Sequence, residues 1–494
     1  MFTFTIGLEI HVQLKTKSKM FCRCSNDGEN QPSNTTICPV CVGHPGVLPV
    51  LNGEAVHMGA KMALAINCSL LDISKFDRKN YFYPDLPKAY QISQYDQPIG
   101  KNGYLDIGER RIRINRLHLE EDAAKLVHTQ DKKASLVDFN RCSTPLMEIV
   151  TEPDFVSPAE AKVFLQELRL IARYLEVSSA DMEKGHLRCD ANVSVNITKD
   201  GKTIQTPISE IKNLNSFRAV EKALEYEGKR LYEDWTSGGE SQKRTNKITV
   251  GWDETQGVTL LQRGKEEAHD YRYFPEPDLP PVTFTDDERA KLRAEIPELP
   301  AQRRSRFIEE YGISTDNARI LVDTKETGEF FEKAVSEVGE WLCTLEKCDE
   351  TLKQKSYKLL ASLLIHKIPA LLGEQDLILS ETKLTAENLA ECVALSLLGK
   401  VNSTALQTIL EETLTHGANP SSVMKEKNLE QIEDTSALET ACDTVLGNNP
   451  DAVVSYKAGK LTVIMFLVGQ VMKDMKGKAQ PEKVKDILEK KLSL

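Results

Sequence analysis

The segment Arg116-Leu-His118-Leu-Glu120-Glu121-Asp122 sets a histidine beside three carboxylates in one short run. Near the N-terminus, Ile6-Gly-Leu-Glu9-Ile-His11-Val-Gln13-Leu14 alternates apolar and polar residues with the period of a strand, so Glu9, His11 and Gln13 emerge on one face. Carboxylates and an imidazole converging on one face form a candidate cation site. Three or four oxygen ligands with one nitrogen favour a hard divalent ion such as Mg2+ or Mn2+, the usual companion of nucleotide phosphates. Taken singly, either segment also reads as a half-buried strand with a solvated polar face.

A second cluster lies in Gly185-His-Leu-Arg188-Cys-Asp190-Ala-Asn192-Val-Ser194, whose alternation places Arg188, Asp190, Asn192 and Ser194 on one face. Glu210 and Lys212 follow in Ser209-Glu210-Ile-Lys212-Asn213. Basic residues beside carboxylates and an amide suit a metal ion with an anionic phosphate; a surface ion-pair network is the alternative. Phosphate-loop, HExxH and GxSxG patterns are missing: the nearest fragment, Gly201-Lys202-Thr203, has Asn196 where the loop needs its first glycine. Nucleotide chemistry here therefore requires a carboxylate-held metal.

Cys22-x-Cys24 and Cys38-x-x-Cys41 have the spacing of a four-thiolate zinc site. Four thiolates leave no position for water, so such a zinc is structural. Cys68, Cys142, Cys189, Cys343, Cys348, Cys392 and Cys442 read as buried apolar residues.

These residues need a scaffold. Up to about residue 293 alternating runs are separated by turn signals such as Lys101-Asn102-Gly103 and interrupted by helical spacing at 55–65 and 157–175. Ser157 with Glu160 three positions on reads as a capping box. Beyond Thr285 helix follows helix, at 286–296, 300–311, 314–324, 327–338 and 351–366, and again from about Ala386. The expected class is α+β: a large mixed domain over 1–293 carrying the four-cysteine zinc element at 22–41, an all-α domain over 294–400 and a small all-α tail over 401–494.

At 494 residues with a net charge of -11 the chain is too long for one core and carries no overall basic coat. From Ser455 onward nine lysines face four acidic residues, so the tail is locally basic, and Lys473, Lys476 and Lys478 are its candidate nucleic-acid contacts. Eleven cysteines, four of them clustered, fit a reducing cytoplasm better than a secreted disulfide framework. The longest apolar run, 461–468, falls well short of the ~20 residues needed to span a membrane.

Taken together, Gly7-Leu-Glu9-Ile-His11, Lys75-Phe-Asp-Arg-Lys-Asn-Tyr-Phe-Tyr-Pro84, Leu117-His-Leu-Glu-Glu-Asp122, Thr144-Pro-Leu-Met-Glu-Ile-Val-Thr-Glu-Pro-Asp154, Leu187-Arg-Cys-Asp-Ala-Asn192, Asp270-Tyr-Arg-Tyr-Phe-Pro-Glu-Pro-Asp278 and Phe466-Leu-Val-Gly-Gln470 closely resemble the B-subunit family of tRNA-dependent amidotransferases. The likeness spans essentially the whole chain. It implies a cradle-shaped kinase domain, a helical domain and a tail that handles tRNA. It also implies ATP and Mg2+ as cofactors, misacylated tRNA as substrate, and two partners in a heterotrimer, an amidase A subunit and a small C subunit. Glu-tRNA(Gln) or Asp-tRNA(Asn) would be phosphorylated on the side-chain carboxylate and then amidated by channelled ammonia. Carried over by position, Glu9, His11 and Glu121 look like metal ligands, with Glu120, Asp190 and Glu210 as additions and Arg188 and Lys212 as phosphate contacts. His118 receives no role. Ala89, Ser143 and His269 depart from the family pattern, the first two where it usually has glycine.

Overall fold

The computed structural model describes residues 2–129, 134–199, 201–238, 247–263, 270–344, 349–375, 379–431, 435–475 and 478–493. His269, Cys348 and Lys476 lie outside the described residues, as does the side chain of Cys343. The chain forms two compact units, Met1–Pro300 and Ala301–Leu494.

The first unit is built on a ten-stranded sheet, with strands numbered in chain order. Its centre is β1 (Phe2–Gln13), where Ile6, Leu8, Ile10 and Val12 are buried on one face as the alternation requires. On one side of it lie β11 (Leu187–Lys199), β13 (Ser209–Leu214), β14 (Ile248–Asp253) and β15 (Val258–Arg263); β12 (Lys202–Gln205) pairs with β11. On the other side lie β10 (Pro145–Thr151), β7 (Arg110–Glu121), β6 (Gly100–Ile107) and β2 (Ser69–Leu70). Every pairing is antiparallel except that of β13 with β14.

The apolar face is covered by α1 (Gly53–Ala65), α2 (Pro158–Tyr174) and α3 (Phe217–Thr236), which share one core with the strands. Caps set their starts: Asn52, Ser157 and Ser216 each accept a backbone N–H from the first turn. At α2 the reciprocal half of the box is shifted, because Glu160 accepts from Val156 N rather than from Ser157 N. Gly228 of α3 is needed for close approach, since a Cβ there would stand 2.1 Å from the Phe4 ring.

Three small sheets complete the unit: β3 (Ile73–Ser74) with β17 (Val282–Thr283), β8 (Lys125–His128) with β9 (Ser135–Asp138), and β4 (Asp77–Asn80) between β5 (Tyr90–Ser93) and β16 (Phe274–Pro275). The last brings together the two aromatic segments at 80–85 and 270–275. A fourth helix, Asp286–Ala294, is opened by a full capping box from Thr285 and Glu288.

Among the described residues the second unit is helical, from Pro300–Tyr311 at its border to Pro481–Leu492. The expected helix over 351–366 is two: Glu350–Ser362 passes through a π turn at Leu363–Lys367 into Ile368–Gln375, just before Pro369, which has no N–H to continue the regular ladder. Leu438, Cys442, Leu467, Val471, Val484 and Leu488 form a separate apolar cluster among the last four helices. No helix among the described residues is long and apolar enough to cross a membrane.

Candidate functional site

The polar face of the main sheet is the floor of a cleft of about 2010 Å3. Antiparallel register aligns Arg188 of β11, His11 of β1, Glu148 of β10 and His118 of β7 in one row across four strands. Glu9 and Asp190 are paired in the next row, and Asn192 with Glu210 in the one beyond. Directly opposed residues share a face, so the register carries these groups into one field.

Glu148 is the centre of that field. Its Oε2 lies 3.3 Å from His11 Nε2 and 3.3 Å from His118 Nε2. Glu120 adds an oxygen 3.6 Å from His11 Nε2 and another 3.5 Å from His118 Nε2, and Glu9 lies 4.0 Å from His11. Glu120, Glu148 and His118 are buried, whereas Glu9 and His11 open to the cleft. Two sets, Glu9 with His11 and Glu148, and His118 with Glu120 and Glu148, bring one ligand atom per residue within 4.8 Å of each other.

Burial opposes charge on His11, but the hydrogen bond and charge of Glu148, with Glu120 and Glu9, outweigh it and raise its pKa to about 9. His118 is likewise raised to about 9, burial being overcome by Glu148 and Glu120. Burial would raise Glu148, yet the two imidazoles hold it well below the usual carboxylate range. Glu9 is pushed up, first by burial and then by repulsion from Glu148. Without a metal, two imidazolium ions thus supply the positive charge at the centre. The outer set fits a hard divalent ion: two carboxylates and one imidazole would hold it, facing open space that leaves room for oxygen ligands from outside the chain.

The expected trio of Glu9, His11 and Glu121 is not assembled. Alternation turns Glu121 away from Glu120, toward the face occupied by Leu117 and Leu119; there its Oε1 accepts from Lys88 Nζ and from Ile92 N at 2.9 Å. Its Oε2 is buried without a hydrogen-bond partner. Glu148 stands where Glu121 was expected, and His118 joins it. Both follow from strand pairing, which one segment read alone does not reveal. A signal was present in Pro145-Leu-Met-Glu148-Ile-Val-Thr151, a lone acid in an apolar strand.

Arg188 stands in the same row as His11 but donates to Asp122 Oδ2 at 2.6 Å. Lys212 pairs with Asp190 at 2.6 Å, and Glu210 accepts from Thr249 at 3.0 Å and faces Lys247 at 3.1 Å. Asp190, Glu210 and Lys212 therefore form a paired arm of the cleft beside the histidine centre. One wall is aromatic, with Tyr81, Tyr271 and Tyr273 around Lys79, a residue inside the Lys75–Pro84 motif to which the sequence assigned no role.

Cys22, Cys24, Cys38 and Cys41 bring their sulfurs within 4.8 Å of one another. The Cys38–Cys41 separation of 3.9 Å matches the ~3.8 Å edge of a tetrahedron with Zn–S bonds of about 2.3 Å. Cys41 is lowered to about 5, chiefly by its hydrogen bond with Cys22 and against burial, with Lys19 assisting. Lys19 is itself fully buried, its Nζ 3.9 Å from Cys41 Sγ, as suits a thiolate cluster. Five other cysteines, 68, 142, 189, 392 and 442, are buried as expected. In the second unit Lys473 is exposed and Lys478 half-buried.

A histidine-carboxylate centre in a sheet-floored cleft, with lysines and tyrosines on its walls, offers ligands for a cation beside positive charge for an anion. Sequence comparison gives the family. Residues 4–290 match the GatB/GatE catalytic domain and residues 346–492 the GatB domain, so the chain belongs to the GatB/GatE family. It is 46% identical to the B subunit of the aspartyl/glutamyl-tRNA(Asn/Gln) amidotransferase of Thermotoga maritima, over 99% of this chain and 98% of that one. The B subunits of the same enzyme from Carboxydothermus hydrogenoformans and Brevibacillus brevis are each 45% identical with the same coverage.

Proposed function

We propose that this chain is the carboxylate-activating member of an aspartyl/glutamyl-tRNA(Asn/Gln) amidotransferase. It uses ATP and Mg2+ to phosphorylate the side-chain carboxylate of Glu on tRNA(Gln), Asp on tRNA(Asn), or both. Ammonia from a glutamine-hydrolysing A subunit then displaces phosphate, with a small C subunit completing a cytoplasmic heterotrimer. The observation that carries the reading is the convergence of Glu9, Glu120 and Glu148 on His11 and His118 at the cleft floor.

A carboxylate is a poor electrophile, and conversion to an acyl phosphate gives it a good leaving group. Glu9, His11 and Glu148, with Glu120 behind them, would hold the Mg2+, which when bound neutralises charge on the phosphoryl group. His118 acts as a positioning residue, fixing the Glu148 and Glu120 carboxylates from the buried side. Lys212, Asp190 and Glu210 form the arm proposed to meet the rest of the nucleotide, Lys212 with its pairing to Asp190 exchanged for phosphate. Arg188, already bound to Asp122, orients the floor more than it contacts phosphate. The four-cysteine element is proposed to hold a structural zinc, and Lys473, Lys476 and Lys478 to add affinity for tRNA.

The test is to incubate the purified complex with misacylated tRNA, ATP and amide-labelled glutamine. Label in the aminoacyl residue, dependent on ATP, is expected; a chain that only binds tRNA would leave the residue unamidated while glutamine is still hydrolysed.

A further inference from the structure

Every lysine and arginine lining the cleft is paired among the described residues except one. Arg116 faces Glu148, Lys212 Asp190, Lys247 Glu210 and Arg272 Asp270. The ammonium of Lys79 makes neither a hydrogen bond nor an ion pair there. It lies instead over the faces of Tyr271 and Tyr81, 5.0 and 5.8 Å from the ring centroids. The negative faces of the two rings attract the ammonium without supplying a hydrogen-bonding oxygen. With no acceptor bound among the described residues, the Lys79 ammonium remains available to an anion in the cleft.

The cage is built rather than incidental. Asn80, the next residue, takes the Tyr271 carbonyl on its backbone N–H at 3.0 Å and holds the Arg272 carbonyl with its side chain at 2.8 Å. Tyr271 packs edge-on to Tyr81 and Tyr273, and Tyr273 stacks on Tyr95 at 4.2 Å. Glu120 and Glu148 keep the ammonium charged from a distance, against the cost of burial. A cation bound at those carboxylates would offset their pull on Lys79 and leave it to an incoming anion.

We propose that Lys79 is the oxyanion-binding residue of the cleft, its ammonium donating to a carboxylate or phosphoryl oxygen of the substrates, and that Tyr271 is a positioning residue that holds it unpaired. The inference rests on the functional reading above. It gives this chain a contact with the reacting groups that needs no ion pair broken first, unlike that of Lys212.

The assembled complex tests it with Lys79→Gln, Lys79→Arg and Tyr271→Leu, each with its melting temperature recorded. Lys79→Gln is expected to lower kcat/KM for transamidation about 10²- to 10³-fold, the usual effect of losing one oxyanion donor. Lys79→Arg should recover at least tenfold of that, and Tyr271→Leu, which leaves the ammonium in place, should cost about fivefold, as expected from a cation–π contact of about 1 kcal/mol. A rise in KM for ATP alone assigns the oxygen to the phosphoryl group; a rise for misacylated tRNA alone assigns it to the acceptor carboxylate. Kinetics of folded Lys79→Gln within threefold of an active wild type overturn the assignment. Failure of Lys79→Arg to recover activity beside an unfolded Lys79→Gln overturns it too. An inactive wild type overturns the functional reading itself, and with it the role of Lys79.

Discussion

At the scale of single residues, one carboxylate oxygen of Glu148 receives two imidazoles, and that arrangement decides which neighbouring acids matter. Glu148→Gln and Glu120→Gln should each lower Mg2+ affinity and transamidation by at least about 10²-fold, because they remove charge from the centre. Glu121→Gln should leave Mg2+ affinity within about threefold, since its carboxylate faces Lys88 on the other side of the sheet. Calorimetric Mg2+ titration of the three variants checks the contrast, and equal losses in all three would reverse it. Glu9 and His11 were legible from strand period alone. Glu148 was not, because a sequence does not state which strand lies beside which, and a one-residue offset in an alternating run exchanges Glu120 for Glu121. The histidines also set a pH signature. In chelator-treated protein His11 and His118 are raised to about 9, against ~6.5 when unfolded. Their contribution is complete below ~6.5 and is lost as pH rises through about 9. Thermal stability should therefore fall across that window, by up to about 3 kcal/mol for each histidine, and the slope should flatten in His11→Gln/His118→Gln.

At the scale of elements, two turns keep the region near the site in conformations that side chains resist. Ala89 has φ +62° and Ser143 φ +66°, and Ser143 also buries a hydroxyl with no hydrogen-bond partner. These are the positions where the resemblance expected glycine, and the left-handed backbone is the physical reason. Ala89→Gly and Ser143→Gly should each raise stability by up to about 1 kcal/mol in urea unfolding; a loss in both would contradict the strain argument. The four-cysteine element should carry about one zinc per chain, lost in Cys38→Ser together with local stability, as metal analysis would record. That its four cysteines gather was legible from their spacing, which is that of a metal-thiolate site. Helices α1 and α2 were legible within two residues from caps and apolar spacing. The small sheet that joins 77–80 to 274–275 was not, since two-residue strands carry no period.

At the scale of the whole molecule, an acidic chain with a locally basic tail would meet a polyanion through a minority of its surface. Neutralising Lys473, Lys476 and Lys478 together should weaken tRNA binding and lower its salt slope by up to about 2–3; unchanged binding at low salt would remove the tail from the account. The change from mixed to helical character was legible near the border of the two compact units, which falls at Pro300. The central claim is that the side-chain carboxylate of the aminoacyl residue attacks ATP, so its oxygen must leave with phosphate. Aminoacyl-tRNA carrying 18O in that carboxylate, incubated with ATP, Mg2+, glutamine and the complex, is the most direct test. The account predicts one 18O in each phosphate released with amide formation; amide formed with phosphate free of 18O would contradict it.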